Sequence, residues 1–187
     1  YPLKNGVPTG WNPFQLPATP GNLVFLEQLV RRLVKRDDAP LTPAQEKMIE
    51  SAIAGVMSDK VPQNLRRLRA VLEFMQDTTD PNGLYARLSR WAGPSAPNRW
   101  LFDNQEDTLN LEGTPILGFD VTEFLPNDET REPTIMYLFH RIESLLDGRR
   151  VPIFFDEFGQ LVKDAAFQRL VENKLVTIRK QDGFVIM

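Results

Sequence analysis

Between about residue 92 and residue 100 the hydrophobic pattern of this chain changes period, and that change limits the folds open to it. Before it, apolar residues recur every three or four positions, the spacing of one helix face. Leu26, Leu29, Val30, Leu33 and Val34 form a first stripe, opened by Thr19-Pro20 as N-cap and first helical residue and closed before Pro40. Thr42-Pro43-Ala44-Gln45 is a capping box, and Ile49, Ala52, Ile53, Val56 and Met57 make the stripe behind it. A third helix is expected over 64–75 and a shorter fourth over 84–91. After the change, short apolar runs alternate with helical stripes. Trp100-Leu101-Phe102 and Ile116–Val121 read as strands. Ile135, Leu138, Phe139, Ile142, Leu145 and Leu146 read as a helix stopped by Gly148. Val151–Phe155 reads as a buried strand, Phe167 to Ile178 as a helix, and Phe184–Met187 as a strand. Strands joined through helices at this spacing predict a mostly parallel sheet. The fold class expected is therefore α/β, with an all-α block over 20–92.

Composition removes several kinds of chemistry. The 187 residues contain no cysteine and one histidine, His140. Thiolate metal sites, disulfides, cysteine nucleophiles and multi-histidine metal sites are excluded. With 22 basic and 25 acidic residues the formal charge is −3, which argues against a nucleic-acid binder relying on bulk charge. Arg66, Arg67 and Arg69 form a small basic cluster whose simplest reading is a solvated helix face. Trp11, Trp91 and Trp100 lack the spacing of a base-stacking platform. No apolar run is long enough to span a bilayer. The chain starts at Tyr1 without a signal-peptide pattern, and the expectation is a piece of a longer protein.

The stretch most suggestive of chemistry is Val151-Pro152-Ile153-Phe154-Phe155-Asp156-Glu157-Phe158. An apolar strand runs directly into two carboxylates, and ligands of open parallel sheets gather at the carboxyl ends of strands. This is the Walker B pattern, in which the Asp holds magnesium and the Glu polarises the attacking water. By itself the pattern fits a solvated strand end equally well. Pro152 has no N–H for a sheet ladder and suits only the first position of such a strand. The phosphate-cradling GxxxxGK[ST] loop is absent from these residues, where no lysine follows a glycine. As it stands, the chain is not expected to grip a nucleotide in the P-loop manner.

Six ordered motifs resemble those of the type IV secretion system transport ATPases, the CagE/TrbE/VirB family. Gly6-Val7-Pro8-Thr9-Gly10-Trp11-Asn12-Pro13-Phe14-Gln15-Leu16-Pro17 is similar to its GxNPFQLP stretch. Phe102-Asp103-Asn104-Gln105-Glu106-Asp107 resembles FDNPED, and Gly118–Phe124 resembles GFDVTEF. Met136–Glu143 resembles MYLFHRIE, Phe155–Phe158 the Walker B DEF, and Thr177–Lys180 with Gly183 resembles TxRKxNG. Gly159 replaces a bulky aromatic of many relatives, and Gln181-Asp182 replaces a basic residue and Asn.

The resemblance implies the central part of a C-terminal motor domain. Residues 1–19 and 93–187 would belong to an incomplete RecA-like P-loop core, and 20–92 to a helical insert. Asp156 would ligate magnesium, and Glu157 would be the catalytic carboxylate. Arg179, with Lys180, would approach a phosphate, as an arginine finger from the neighbouring subunit; the alternative for Arg179 is a structural cation favoured by the dipole at its helix end. Asp120 and Glu123 read foremost as loop caps. ATP and magnesium are implied for the intact parent and are not expected on this chain alone. The implied function is ATP-powered pilus assembly and substrate transfer. It would be carried out by a hexamer with other secretion components, on the cytoplasmic face of the bacterial inner membrane, touching the membrane only through that assembly. Two further readings are a DNA-translocating pump of the coupling-protein or FtsK/HerA kind, and a non-catalytic interaction module. The apolar strand at 184–187 is expected to lose a neighbour if the P-loop strand is missing, which leaves an edge open to self-association.

Overall fold

A computed structural model of the chain describes residues 1–36, 39–75, 79–111, 113, 116–124, 126–145, 152–154, 156, 168, 172, 176, 178 and 184–186. They fall into two compact units, Leu3–Asn110 and Tyr1–Pro2 with Leu111–Met187.

The first unit is helical. Thr19 caps α1 (Pro20–Leu33) by accepting from the Asn22 N–H, and Pro20 occupies the first turn, where its missing N–H costs nothing. The capping box of α2 (Pro43–Val56) forms as expected, with the Thr42 N–H donating to Gln45 Oε1 at 3.0 Å and the Gln45 N–H to Thr42 Oγ1 at 3.3 Å. Leu26, Leu29 and Val30 of α1 and Ile49 and Val56 of α2 are sealed from solvent, and the two helices pack against each other. Each such side chain contributes roughly 1.5–3 kcal/mol by leaving water.

The third helix departs from expectation. Gln63–Leu65 forms one 3-10 turn and α3 runs only over Leu68–Glu73, because Arg66 and Arg67 are extended. In a continuous helix the Arg66 carbonyl would accept from Ala70. Here it accepts from the Asn12 side chain, while the Ala70 N–H turns to Arg67 O. α4 (Leu84–Leu88) lies within the expected range and packs on α1.

Trp100-Leu101-Phe102 is not a strand. It lies in a short helix, α5 (Arg99–Phe102), with all three side chains buried. An apolar triplet carries too little periodicity to separate strand from helix, and burial on all sides removes the alternation a strand would need. Residues 3–19 and 93–110 pack in the same compact unit as helices α1–α4.

In the second unit, Ile116–Val121 does not form the expected strand. Ile116 is 86% exposed, and the described pairing there is one parallel bridge between Pro2 and Asp120. The next element, α6 (Asp128–Glu143), starts seven residues before the apolar stripe at Ile135 suggested. Asn127 caps it, Asp128 and Glu129 favour its N-terminal dipole, and Pro133 sits inside it. Pro133, the sixth residue of the helix, has no N–H to give to the helical ladder. Ile135 to Phe139 are all buried, so this helix is enclosed on more than one face.

β1 (Pro152–Phe154) and β2 (Phe184–Ile186) then pair in parallel, Pro152 opposite Phe184 and Phe154 opposite Ile186. Pro152 takes the first strand position, as its chemistry requires. The described residues 168, 172, 176 and 178 between the strands are helical. The described residues are thus mixed, mainly helical with a short parallel pair.

Gly10 carries one test of the first unit. Its φ is +72°, and a Cβ there would collide with Thr108 Oγ1. Gly10→Ala is expected to lower stability by at least roughly 1–3 kcal/mol in urea unfolding, the cost of a non-glycine residue held at positive φ.

Candidate functional site

The parallel pairing of β1 and β2 puts both carboxyl ends on one side of the sheet. Asp156 follows β1 by two residues, sits in a turn and is exposed. It thus lies just past the carboxyl end of β1. Its oxygens are hard donors of the kind magnesium takes. The other residues singled out in the sequence, Glu157, Arg179 and Lys180, lie outside the described residues. Ile178, directly before Arg179, is helical and fully buried. Among the described residues no three His, Cys, Asp or Glu side chains converge as a metal cluster.

Asp120 behaves as a cap. Its Oδ1 accepts from the Thr122 N–H at 3.1 Å and opens the 3-10 turn Thr122–Phe124. The Thr122 side-chain and backbone hydrogen bonds hold its carboxyl below the usual carboxylate value of 3.8. Since the folded pKa is the lower one, the turn gains from this contact above pH 3.8 and loses it as pH falls through the folded value.

The basic cluster is spent on structure. Arg66 donates through Nε to Val61 O at 3.0 Å and through Nη2 to Ser58 O at 3.1 Å, closing the loop after α2. Arg69 pairs through Nη2 with Asp103 Oδ2 at 2.8 Å. Only Arg67 of the three has no such role in these contacts, so the cluster is not a nucleic-acid patch of three converging guanidinium groups.

Sequence reasoning missed a set of buried and half-buried polar residues, although they lie within the motifs that carry the family resemblance. Asn12 is fully buried; its Nδ2 donates to Arg66 O at 3.0 Å and Gln105 O at 3.4 Å, and its Oδ1 accepts from Phe14 N–H at 3.2 Å. Asn104 Nδ2 donates to Trp11 O at 2.9 Å and Trp100 O at 3.2 Å. Gln15 donates to Gln105 O and accepts from the Asp107 N–H. Asp103, with its side chain wholly buried, accepts from the N–H groups of Arg69 and Gly93, both at 3.0 Å, as well as from the Arg69 guanidinium. A carboxylate at the Arg69 N–H supplies from a distant segment the N-terminal cap that α3 lacks locally. The available signal was a small amide flanked by Trp11 and Pro13-Phe14, polar in an otherwise apolar run.

Comparison with known proteins places these features. No family model matches the chain. It is 40% identical over 190 residues to the type IV secretion system protein virB4 of Brucella suis biovar 1 (strain 1330), covering 97% of this chain and 23% of that protein. It is 38% identical over 187 residues to the type IV secretion system protein PtlC of Bordetella pertussis, covering 97% of this chain and 22% of that one. The virB4 protein of Bartonella henselae is 40% identical over 186 residues, with 99% of this chain and 23% of that protein covered. The chain spans under a quarter of the length of these curated relatives. Across nearly all of its own length it belongs with the type IV secretion system proteins. Within them it is a VirB4-type segment.

Two measurements check this geometry. Asp103→Ala leaves the Arg69 guanidinium and two N–H groups without their acceptor, and is expected to cost about 3 kcal/mol in chemical denaturation. The side-chain carboxyl carbon of Asp120, followed by NMR, is expected to titrate with a midpoint below 3.8; a midpoint above it contradicts the capping contact.

Proposed function

We propose that this segment contributes the Walker B part of an ATP-driven motor in a type IV secretion machine. The observation that carries the reading is Asp156 at the carboxyl end of a parallel strand, in a chain 40% identical to virB4 proteins over nearly its whole length. A RecA-like core, into which β1 and β2 would fit as neighbouring strands, belongs to the same proposal.

In it, Asp156 offers an anionic oxygen to magnesium, and Glu157 orients water and accepts its proton. Arg179 reaches a phosphate, from the neighbouring subunit if the assembly is a ring, and Lys180 supports it. When bound, magnesium neutralises the charge that develops on the phosphate oxygens. The motor would work as a hexamer with other secretion components. No helix among the described residues is long and apolar enough to cross a membrane; a position at the cytoplasmic face of the inner membrane, held by the assembly, is part of the same proposal. The structural employment of Arg66 and Arg69 weighs against a DNA-pump reading based on that cluster.

The test compares ATP hydrolysis by the full-length parent with its Glu157→Gln variant. Turnover is expected to fall by at least about a hundredfold, the low end for loss of a general base, with nucleotide binding retained. Asp156→Asn is expected to weaken magnesium-dependent nucleotide binding. Unchanged turnover in Glu157→Gln makes the carboxylate pair structural and brings the interaction-module reading forward. The 187-residue chain alone, without the lysine loop, is expected to hydrolyse no ATP; turnover above its own Glu157→Gln control contradicts this.

A further inference from the structure

The first two residues of the chain pair with a segment 117 positions away. Tyr1 O accepts from the Asp120 N–H at 3.1 Å, the Tyr1 amino group donates to Gly118 O at 2.8 Å, and Pro2 and Asp120 form a parallel bridge. The Tyr1 ring stacks on Phe119 with centroids 5.2 Å apart, as opposed residues of neighbouring strands do. This is the pattern of a parallel ladder, in which a residue donates to the carbonyl before its opposite number and accepts from the N–H after it. The ladder breaks off at Tyr1. One repeat earlier it would use the Ile116 carbonyl and the Gly118 N–H, since alternate residues of an extended strand bond along the same edge. Among the described residues neither group has a hydrogen-bond partner. Ile116 is also 86% exposed. A half-made ladder and a solvated isoleucine thus coincide in Ile116–Val121, a run whose sequence reads as a strand.

We propose that residues 116–120 are an acceptor edge for the segment that precedes Tyr1 in a longer parent, which adds to it as a parallel strand in the register Tyr1 already sets. The residue two before Tyr1 lies opposite Leu117, donates its N–H to Ile116 O and accepts from the Gly118 N–H. That residue is not proline, because its N–H is needed. β-Branched or aromatic side chains suit the positions opposite Ile116 and Leu117. Two features select this occupant over a second copy of the chain. The Tyr1 amino group already holds Gly118 O, so a strand from another molecule would have to end against a charged ammonium, whereas a continuous chain puts an amide N–H at the same place. Covalent continuity also delivers the strand to an edge whose loop Tyr1 and Pro2 have already closed. The chain covers 23% of the virB4 protein of Brucella suis, so a parent of that length has ample sequence outside it. The inference concerns strand assembly and does not rest on the ATPase reading.

The test extends the 187-residue chain at Tyr1 with the parent's own preceding residues and follows amide hydrogen exchange by NMR. Extension by about six residues is expected to slow the Gly118 N–H at least about tenfold. Extension by a single residue supplies no carbonyl at the required place and is expected to slow it by less than about twofold. The N–H groups of Leu117 and Phe119 belong to the other edge and are expected to change by less than about twofold in both. Proline placed two residues before Tyr1 removes the donor to Ile116 O and is expected to cut the protection of Gly118 by at least about threefold, with alanine there retaining it. Circular dichroism melting verifies that each chain is folded. Where an extended chain does not fold, exchange read by mass spectrometry on the full-length parent takes its place, the peptide spanning 116–121 retaining one more slow amide than in the 187-residue chain and losing it in the proline variant. Unchanged Gly118 exchange overturns the proposal, as do full protection in the proline variant and slowing confined to Leu117 and Phe119. Slowing of Gly118 in the unextended chain that rises with protein concentration gives the edge to a second copy and overturns it too.

Discussion

The helical unit depends on one interaction above the others: the buried carboxylate of Asp103. It accepts two backbone N–H groups and a guanidinium, joining the start of α3, Gly93 and the end of α5. A buried charge is costly unless every lone pair is used. Asp103 therefore fixes the relative placement of these three segments closely, because any slippage exposes an unpaired charge to an apolar interior.

Around it, Asn12, Gln15 and Asn104 tie residues 9–15 to 100–107 almost wholly through backbone carbonyl and N–H groups. Such bonds contribute little each, about 0.5–1.5 kcal/mol net, but leaving a buried partner unmatched costs about 1–3 kcal/mol. The stacking of Trp11 on Phe102, with ring centroids 6.2 Å apart, adds apolar contact to the same junction. Two stretches that resemble secretion-ATPase motifs thus act here as architecture. Their residues bond to backbone, whereas the carboxylates with a proposed chemical role follow a strand in the other unit.

The legible parts of the fold were those whose causes lie close together along the chain. The Thr42–Gln45 box closes over three residues, and the stripes of α1 and α2 repeat within a few turns. The parallel pairing of 152–154 with 184–186 was also legible, because the helical spacing between the runs demands a crossover. Of the candidate site, the position of Asp156 after an apolar strand could be read directly from Phe154-Phe155-Asp156. Asp120 was read as a cap, and its contact with Thr122 has that form. The apolar triplet 100–102 and the run at 116–121 were misread, because short apolar stretches have the same composition whether they enter a helix, a strand or an exposed loop.

The sequence by itself determined where α1 and α2 begin, which faces they bury, the strand-to-carboxylate stretch and the kinship with secretion proteins. Each rests on local hydrogen bonding, on periodicity or on ordered motifs. Tertiary structure decided the break before α3, the helical state of Arg99–Phe102 and the employment of the arginine cluster. Those outcomes depend on partners far apart in sequence. Arg69 and Asp103 are 34 residues apart, Asn12 and Arg66 are 54 apart, and Trp11 and Asn104 are 93 apart. A helix gives up a backbone hydrogen bond at Arg66 only because a buried amide from elsewhere takes its place, and no window of neighbouring residues contains that amide.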